Sequence, residues 1–182
     1  MNTSAQKNNI TAVVSFEGSL EKLNSCLQAL NTWVPQIIVV LPENNDIGKQ
    51  ITNKFNVSVC FQKPSSTAKS NWESGLNQTN TPWALLIRSN EIVTGQLRQA
   101  ITEKIKTCGE EACKYLLPLT IVFLEKRFKY PLDWNDSQPS LLLHTSKTIN
   151  DVNQQSKYET LGGELVRYCE DTISECAHSV IQ

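Results

Sequence analysis

Apolar positions along the first hundred residues switch repeatedly between two periods. Ile10 to Phe16 is a β-branched run that stops at Glu17-Gly18-Ser19, the signature of a strand followed by a turn and a helix start. Leu20, Leu23, Leu27 and Leu30 then share one helical face. Trp33-Val34-Pro35 breaks that helix, and Gln36 to Leu41 is a second apolar strand. Beyond the Pro42 to Asn45 loop, Asp46 stands at an N-cap position before a helix lined by Ile47, Ile51 and Phe55. Asn56 to Phe61 returns as a short strand, and the Pro64 to Thr67 loop leads into a weak helix carrying Ala68, Trp72 and Leu76. Trp83 to Arg88 follows, an apolar run opened by Pro82 and closed by the polar Arg88-Ser89-Asn90-Glu91, which predicts a central buried strand. Leu97, Ile101 and Ile105 mark the next helix. Alternation of this kind predicts right-handed βαβ crossovers. The expected class is α/β, with a Rossmann-like, mostly parallel sheet and helices on both faces.

The second half reads differently. Lys114 to Leu124 is apolar but interrupted by Pro118, which predicts one bent or edge strand. Ser140 to His144 is another strand, and Ile173, Ala177 and Ile181 fall at helical spacing in a final helix that lacks a cap signal, as a piece of a longer chain would. No repeat or low-complexity linker separates the halves. The expectation is a single domain over residues 1–182, with a flexible tail at 1–9, a first half at 10–107 and a second at 108–182.

Composition narrows the function classes. The 182 residues suffice for one core. A net charge of −1, with charges scattered along the chain, argues against a nucleic-acid partner. No apolar run approaches the roughly 20 residues of a membrane span, and polar Met1 to Asn9 is no signal peptide. A cytoplasmic location without a transmembrane segment is the expectation. The six cysteines show no Cys-x-x-Cys spacing and only two histidines accompany them, which favours reduced thiols over disulfides or zinc.

Ligands of open α/β sheets bind where strands end at a polar crevice, so the candidate chemistry lies at Arg88-Ser89-Asn90-Glu91. This strand, with Trp83 at its start and Thr94 opening the next helix, is joined by other recognisable segments. They are Val13-Val14-Ser15-Phe16, the Leu23 to Leu30 helix, Ile37 to Asp46, Lys69-Ser70-Asn71, Trp134 with Leu141-Leu142-Leu143, and Leu161-Gly162-Gly163-Glu164-Leu165 with Arg167 nearby. Together, from about Thr11 to about Ser179, they resemble the family 2 glycosyltransferases of the GT-A fold, nearest the small enzymes acting on lipopolysaccharide core sugars.

The resemblance implies a nucleotide-diphospho-sugar transferase-like fold whose first half binds the nucleotide and whose second half faces the acceptor. It implies donor-side roles for Ser15, Phe16, Asp46, Asn71, Arg88 and Asn90. Asp133 and Asp136 become candidates for the general base, and Glu91 matches the acid that follows the family's Asp-x-Asp. Here that motif reads Arg88-Ser89-Asn90, and Leu41 stands where a further Asp belongs. Hard Mg²⁺ or Mn²⁺ wants anionic oxygen ligands, and a guanidinium and an amide supply none, so no metal or other cofactor is expected.

Two functions follow from the resemblance. One is a catalytically degenerate pseudoenzyme, kept as a binding or scaffolding module beside a protein partner such as an active glycosyltransferase. The other is a metal-independent transferase moving a sugar from a nucleotide-sugar to a cell-envelope glycan or lipopolysaccharide acceptor, with Arg88 on the diphosphate and Asp133 or Asp136 as base. A signalling domain on a doubly wound sheet fits the first hundred residues but not the rest. Plainer roles compete: Arg88 paired with Glu91 or solvated, Glu91 as a favourable charge before a helix, Asp46 as a cap, and His144 at the core edge.

Overall fold

Apolar runs without polar alternation are sheltered only when a strand is covered on both sides, and that requirement shapes the first half. The computed structural model describes residues 9–43, 46–63, 67–108, 114–129, 139–146 and 159–169. In order these form β1 (Ile10–Ser15), α1 (Leu20–Asn31), β2 (Gln36–Pro42), α2 (Ile47–Lys54), β3 (Ser58–Gln62), α3 (Ala68–Leu76), β4 (Trp83–Arg88), β5 (Glu91–Val93) and α4 (Gly95–Thr107). There follow β6 (Lys114–Leu116), β7 (Leu119–Phe123), β8 (Lys126–Lys129), β9 (Leu141–His144), β10 (Glu159–Thr160) and β11 (Leu165–Tyr168).

Seven strands make the main sheet, in the order β10-β6-β9-β4-β1-β2-β3. β1 pairs in parallel with β2 and β4, and β2 with β3, while β9 runs antiparallel to β4 and β6. The protein is therefore α/β with a mostly parallel mixed sheet and, among the described residues, four helices. Alternate side chains serve opposite faces. Ala12, Val14, Val39 and Leu85 pack with Leu23 and Leu27 of α1, Ile51 of α2 and Leu97 of α4, whereas Val13, Ile38 and Leu86 pack with Trp72 of α3. Gly75 lets α3 settle on the sheet, since a Cβ there would stand 2.3 Å from Val13 Cγ1. None of the helices described is long and apolar enough to cross a membrane.

Local signals set the helix starts. Ser19, Thr67 and Thr94 each hold extended backbone and accept from an N–H of the first turn, that of Lys22, Ser70 and Leu97. Asp46 occupies the corresponding place before α2, but its backbone is helical and its side chain makes no capping bond. Thr94 has a second task. Its Oγ1 donates to Glu164 O at 2.7 Å and lies 3.3 Å from Glu164 N, tying α4 to the turn before β11. Thr94→Ala should cost about 1–2 kcal/mol, read as a lower urea midpoint, whereas an unchanged midpoint would mean that α4 starts without this cap.

Lys114 to Leu124 departs from the single bent or edge strand expected of it. Pro118 has no N–H for a ladder, and its carbonyl instead accepts from Leu165 N at 2.7 Å. The run divides there into β6, which lies inside the main sheet between β10 and β9, and β7, which belongs to a second sheet of order β5-β11-β7-β8. β11 runs antiparallel to β5 and parallel to β7, with Arg167 opposite both Glu91 and Ile121. This sheet brings residues of the second half up to the end of β4. The final helix expected at 170–182 lies outside the described residues.

Candidate functional site

The chain runs β1, β2, β3 outward on one side of the sheet, then returns through α3 to place β4 on the other side of β1. Strand order reverses between β1 and β4, and outside the carboxyl ends of such a pair an open α/β sheet has its ligand crevice. Ser15, Phe16 and Glu17 follow from β1 at that point, and Arg88, Ser89 and Asn90 from β4. The two ends are stitched together: Ser89 N donates to Ser15 O at 2.8 Å, and Glu17 N donates to Ser89 Oγ at 2.8 Å. From α3, Asn71 Nδ2 donates to Ser15 Oγ at 2.9 Å, and Ser15 Oγ donates onward to Glu17 Oε1 at 3.2 Å.

Arg88 lies among these groups. Its Nη1 is 3.5 Å from Glu91 Oε1, its Nε is 4.0 Å from Glu17 Oε1, and its guanidinium sits 5.3 Å from the Trp72 ring centroid, within cation–π range. Trp72 is itself fixed, because its Nε1 donates to Ile87 O at 2.9 Å. Cys26 of α1 lies behind the strand, with Sγ 3.8 Å from Arg88 O. Burial, with Glu91 adding to it, pushes this thiol far above its ordinary range, so Cys26 stays protonated and unreactive.

Glu91 is fully buried, and both its oxygens are engaged. Oε1 accepts from Arg167 Nε at 3.0 Å and Nη2 at 2.8 Å, while Oε2 accepts from Arg88 N at 2.8 Å and Ser140 Oγ at 2.7 Å. Burial by itself raises this carboxyl, but Arg167, Arg88 and the two hydrogen bonds outweigh it and hold the pKa below its ordinary value. Glu17 goes the other way. Its desolvation exceeds the pull of Arg88 and of the Ser15 hydroxyl, and its pKa is raised.

The residues singled out from the sequence divide accordingly. Ser15, Asn71, Arg88 and Glu91 meet in one network. Phe16 stands beside it with its N–H on Val40 O at 3.1 Å. Asn90 adjoins it, its carbonyl accepting from Tyr168 N at 3.0 Å, and its buried Oδ1 has no hydrogen-bond donor among the described residues. Asp46 is exposed at the start of α2, and no bond among the described residues joins it to the cluster. Asp133, Asp136 and Trp134 lie outside the described residues. Sequence reading passes over Glu17 as part of a turn, names Ser89 within the Arg88 to Glu91 cluster but gives it no role, and overlooks Ser140 and the link from Arg167 to Glu91, which spans 76 positions.

The donor set fits a hard divalent cation poorly. Both oxygens of Glu91 are already engaged, Glu17 faces Arg88, and Arg88 and Asn90 add a cation and a neutral amide. No three His, Cys, Asp or Glu side chains converge among the described residues. His144 is elsewhere, edge-on to Trp83 at 5.2 Å and bonded through Nδ1 to Ser146 Oγ at 2.8 Å. No protein-family model matches this chain, and no characterised protein does.

Proposed function

We propose that this chain is a GT-A-like domain that does not carry out metal-dependent sugar transfer and serves as a binding or scaffolding module for a protein partner. One observation carries the reading. At the carboxyl end of β4, in the place that resembles the first Asp of Asp-x-Asp, Arg88 is set between Glu17 and Glu91 at 4.0 and 3.5 Å. Among the described residues, the carboxylates at this end of the sheet, Glu17 and Glu91, thus neutralise arginines of their own chain, and the hydroxyls of Ser15 and Ser89 serve the same internal network. Such an arrangement stabilises the junction of two sheets and leaves little for a metal-bound diphosphate to coordinate. The strand order β3-β2-β1-β4, the reversed β9 and the second sheet against β5 are in keeping with a fold descended from a nucleotide-sugar enzyme, although function rests with the site and not the fold.

The test is calorimetric titration with UDP, GDP, CDP and their sugars, with and without Mn²⁺, together with an assay for released nucleoside diphosphate. The expected result is no Mn²⁺-dependent binding and no consumption of any nucleotide-sugar. Micromolar binding that requires Mn²⁺, or turnover of one donor, defeats the proposal.

A further inference from the structure

β7 and β8 are joined by a two-residue turn, Leu124-Glu125, in which both residues hold positive φ, +46 and +61. Hairpins closed in this way favour Asn-Gly or Asp-Gly, because a left-handed backbone crowds the Cβ of other residues. Leucine suits the fold poorly at this place and gains little from burial, being 57 % exposed. Along β8, Lys126, Arg127, Phe128 and Lys129 are all exposed, Phe128 to 52 %. Successive side chains alternate between faces, so cations flank the turn on both sides of the hairpin. Three of them occupy four positions in a chain whose net charge is −1. Among the described residues the Lys126 and Lys129 side chains have no hydrogen bond or ion pair, and Arg127 has one loose contact, Nη1 at 3.8 Å from Glu164 Oε2.

Lysine and arginine on an edge strand deter pairing with another chain, which accounts for the charges but not for Leu124. We propose that the β7–β8 hairpin docks on an anionic lipid bilayer, with Leu124 entering the acyl boundary and Lys126, Arg127 and Lys129 lying among the headgroups. Apolar area buried at the bilayer and attraction to anionic lipid add in such a contact. The long basic side chains keep their charged ends at the headgroups while their stems follow the apolar turn inward. Phe128, on the same face as Lys126, supplies a second apolar group, and Glu125 is the one carboxylate that the turn and β8 carry. An acidic protein partner would bury far more apolar area than one leucine and one phenylalanine offer, whereas a bilayer can take up a single turn. β8 is the edge of the second sheet opposite β5, so the inference stands apart from what the crevice at β4 does.

The experiment is sedimentation of the full chain with vesicles of phosphatidylcholine alone or of equimolar phosphatidylcholine and phosphatidylglycerol. Wild type is compared with Leu124→Asn, Leu124→Met and the double variant Lys126→Gln with Lys129→Gln, and each is also unfolded in urea. Wild type should bind the mixed vesicles and leave the neutral ones, and added salt should weaken the binding. Leu124→Asn should bind about tenfold more weakly yet unfold at a higher urea midpoint, because asparagine tolerates the left-handed turn. Leu124→Met should keep the wild-type affinity, and the double lysine variant should lose about twentyfold. Absence of binding to mixed vesicles, equal binding to neutral ones, or wild-type binding by Leu124→Asn overturns the inference. A lower urea midpoint for Leu124→Asn overturns it as well, since leucine would then serve the fold. None of these outcomes touches the Mn²⁺ and turnover test of the scaffold reading.

Discussion

Arg167→Met should lower the unfolding free energy by about 3–5 kcal/mol, the scale on which breaking one side of a buried ion pair is felt. Glu91 has no contact with solvent, and Arg167 gives Oε1 two of the hydrogen bonds that make its charge tolerable there. Methionine fills much of the same volume and donates nothing. Arg88 remains within 3.5 Å, but it is also drawn toward Glu17 and cannot replace a bidentate partner. Urea unfolding of the variant measures the loss. The double variant Glu91→Leu with Arg167→Met should be more stable than the sum of the single losses allows, by about 1–3 kcal/mol, because it removes the stranded charge as well as its partner. Strict additivity of the two changes would mean that the pair is not coupled.

The same pair sets the response to acid. Glu91 has a folded pKa below its ordinary 4.5, so below that value the unfolded chain binds more protons than the folded one. Its contribution is fully present above 4.5 and is lost as pH falls through the folded pKa. Glu17, with a raised folded pKa, contributes stability that is present below 4.5 and lost as pH rises through its folded value. In Arg167→Met, burial acts on Glu91 with less opposition, so the acid limb of the urea midpoint against pH should flatten. A limb as steep as that of wild type would assign acid sensitivity to other carboxyls.

How much of this can be read from the chain depends on the range of the forces involved. β1 to β4, β9 and the four helices are local events. Runs such as Ile37, Ile38, Val39 and Val40, and the helical spacing of Leu97 and Ile101, carry their period in the sequence itself, and the expected strand limits hold to within two residues. β5 and β8 carry no such signal. β5 is three residues long, and Lys-Arg-Phe-Lys in β8 lies exposed at a sheet edge, where no burial imposes an apolar alternation. Pro118 announces an interruption, but where the chain resumes is decided by β11, far along the chain, and no local signal encodes that pairing. At the site, the pairing of Arg88 with Glu91 is foreseeable from a spacing of three residues. The involvement of Arg167 and Ser140 is not, since Arg167 reaches Glu91 through the pairing of β11 with β5 and Ser140 is brought there by the pairing of β9 with β4, both contacts between segments far apart in the chain.

That second sheet is held against α4 through Gly163, and Gly163→Ala should cost roughly 2–5 kcal/mol. Gly163 has φ +95, a conformation costing an L-residue about 1–2 kcal/mol. The space around it is also filled. An added Cβ would stand 2.4 Å from Leu97 N and 2.6 Å from Leu97 Cα, which are backbone atoms in the first turn of α4 and cannot rotate away. Relief requires α4 and the turn to separate, adding about 1–3 kcal/mol of overpacking and pulling Thr94 Oγ1 from Glu164 O, its 2.7 Å partner. The effect should reach β11 and hence the register that sets Arg167 opposite Glu91. Its neighbour supplies the control. Gly162 has open space where a Cβ would go and no left-handed φ, so Gly162→Ala should be neutral or slightly stabilising through the unfolded chain. Urea midpoints that fall equally for both alanines would trace the loss to the turn's flexibility, whereas a fall confined to Gly163→Ala identifies the contact with α4 as the joint on which the buried pair depends.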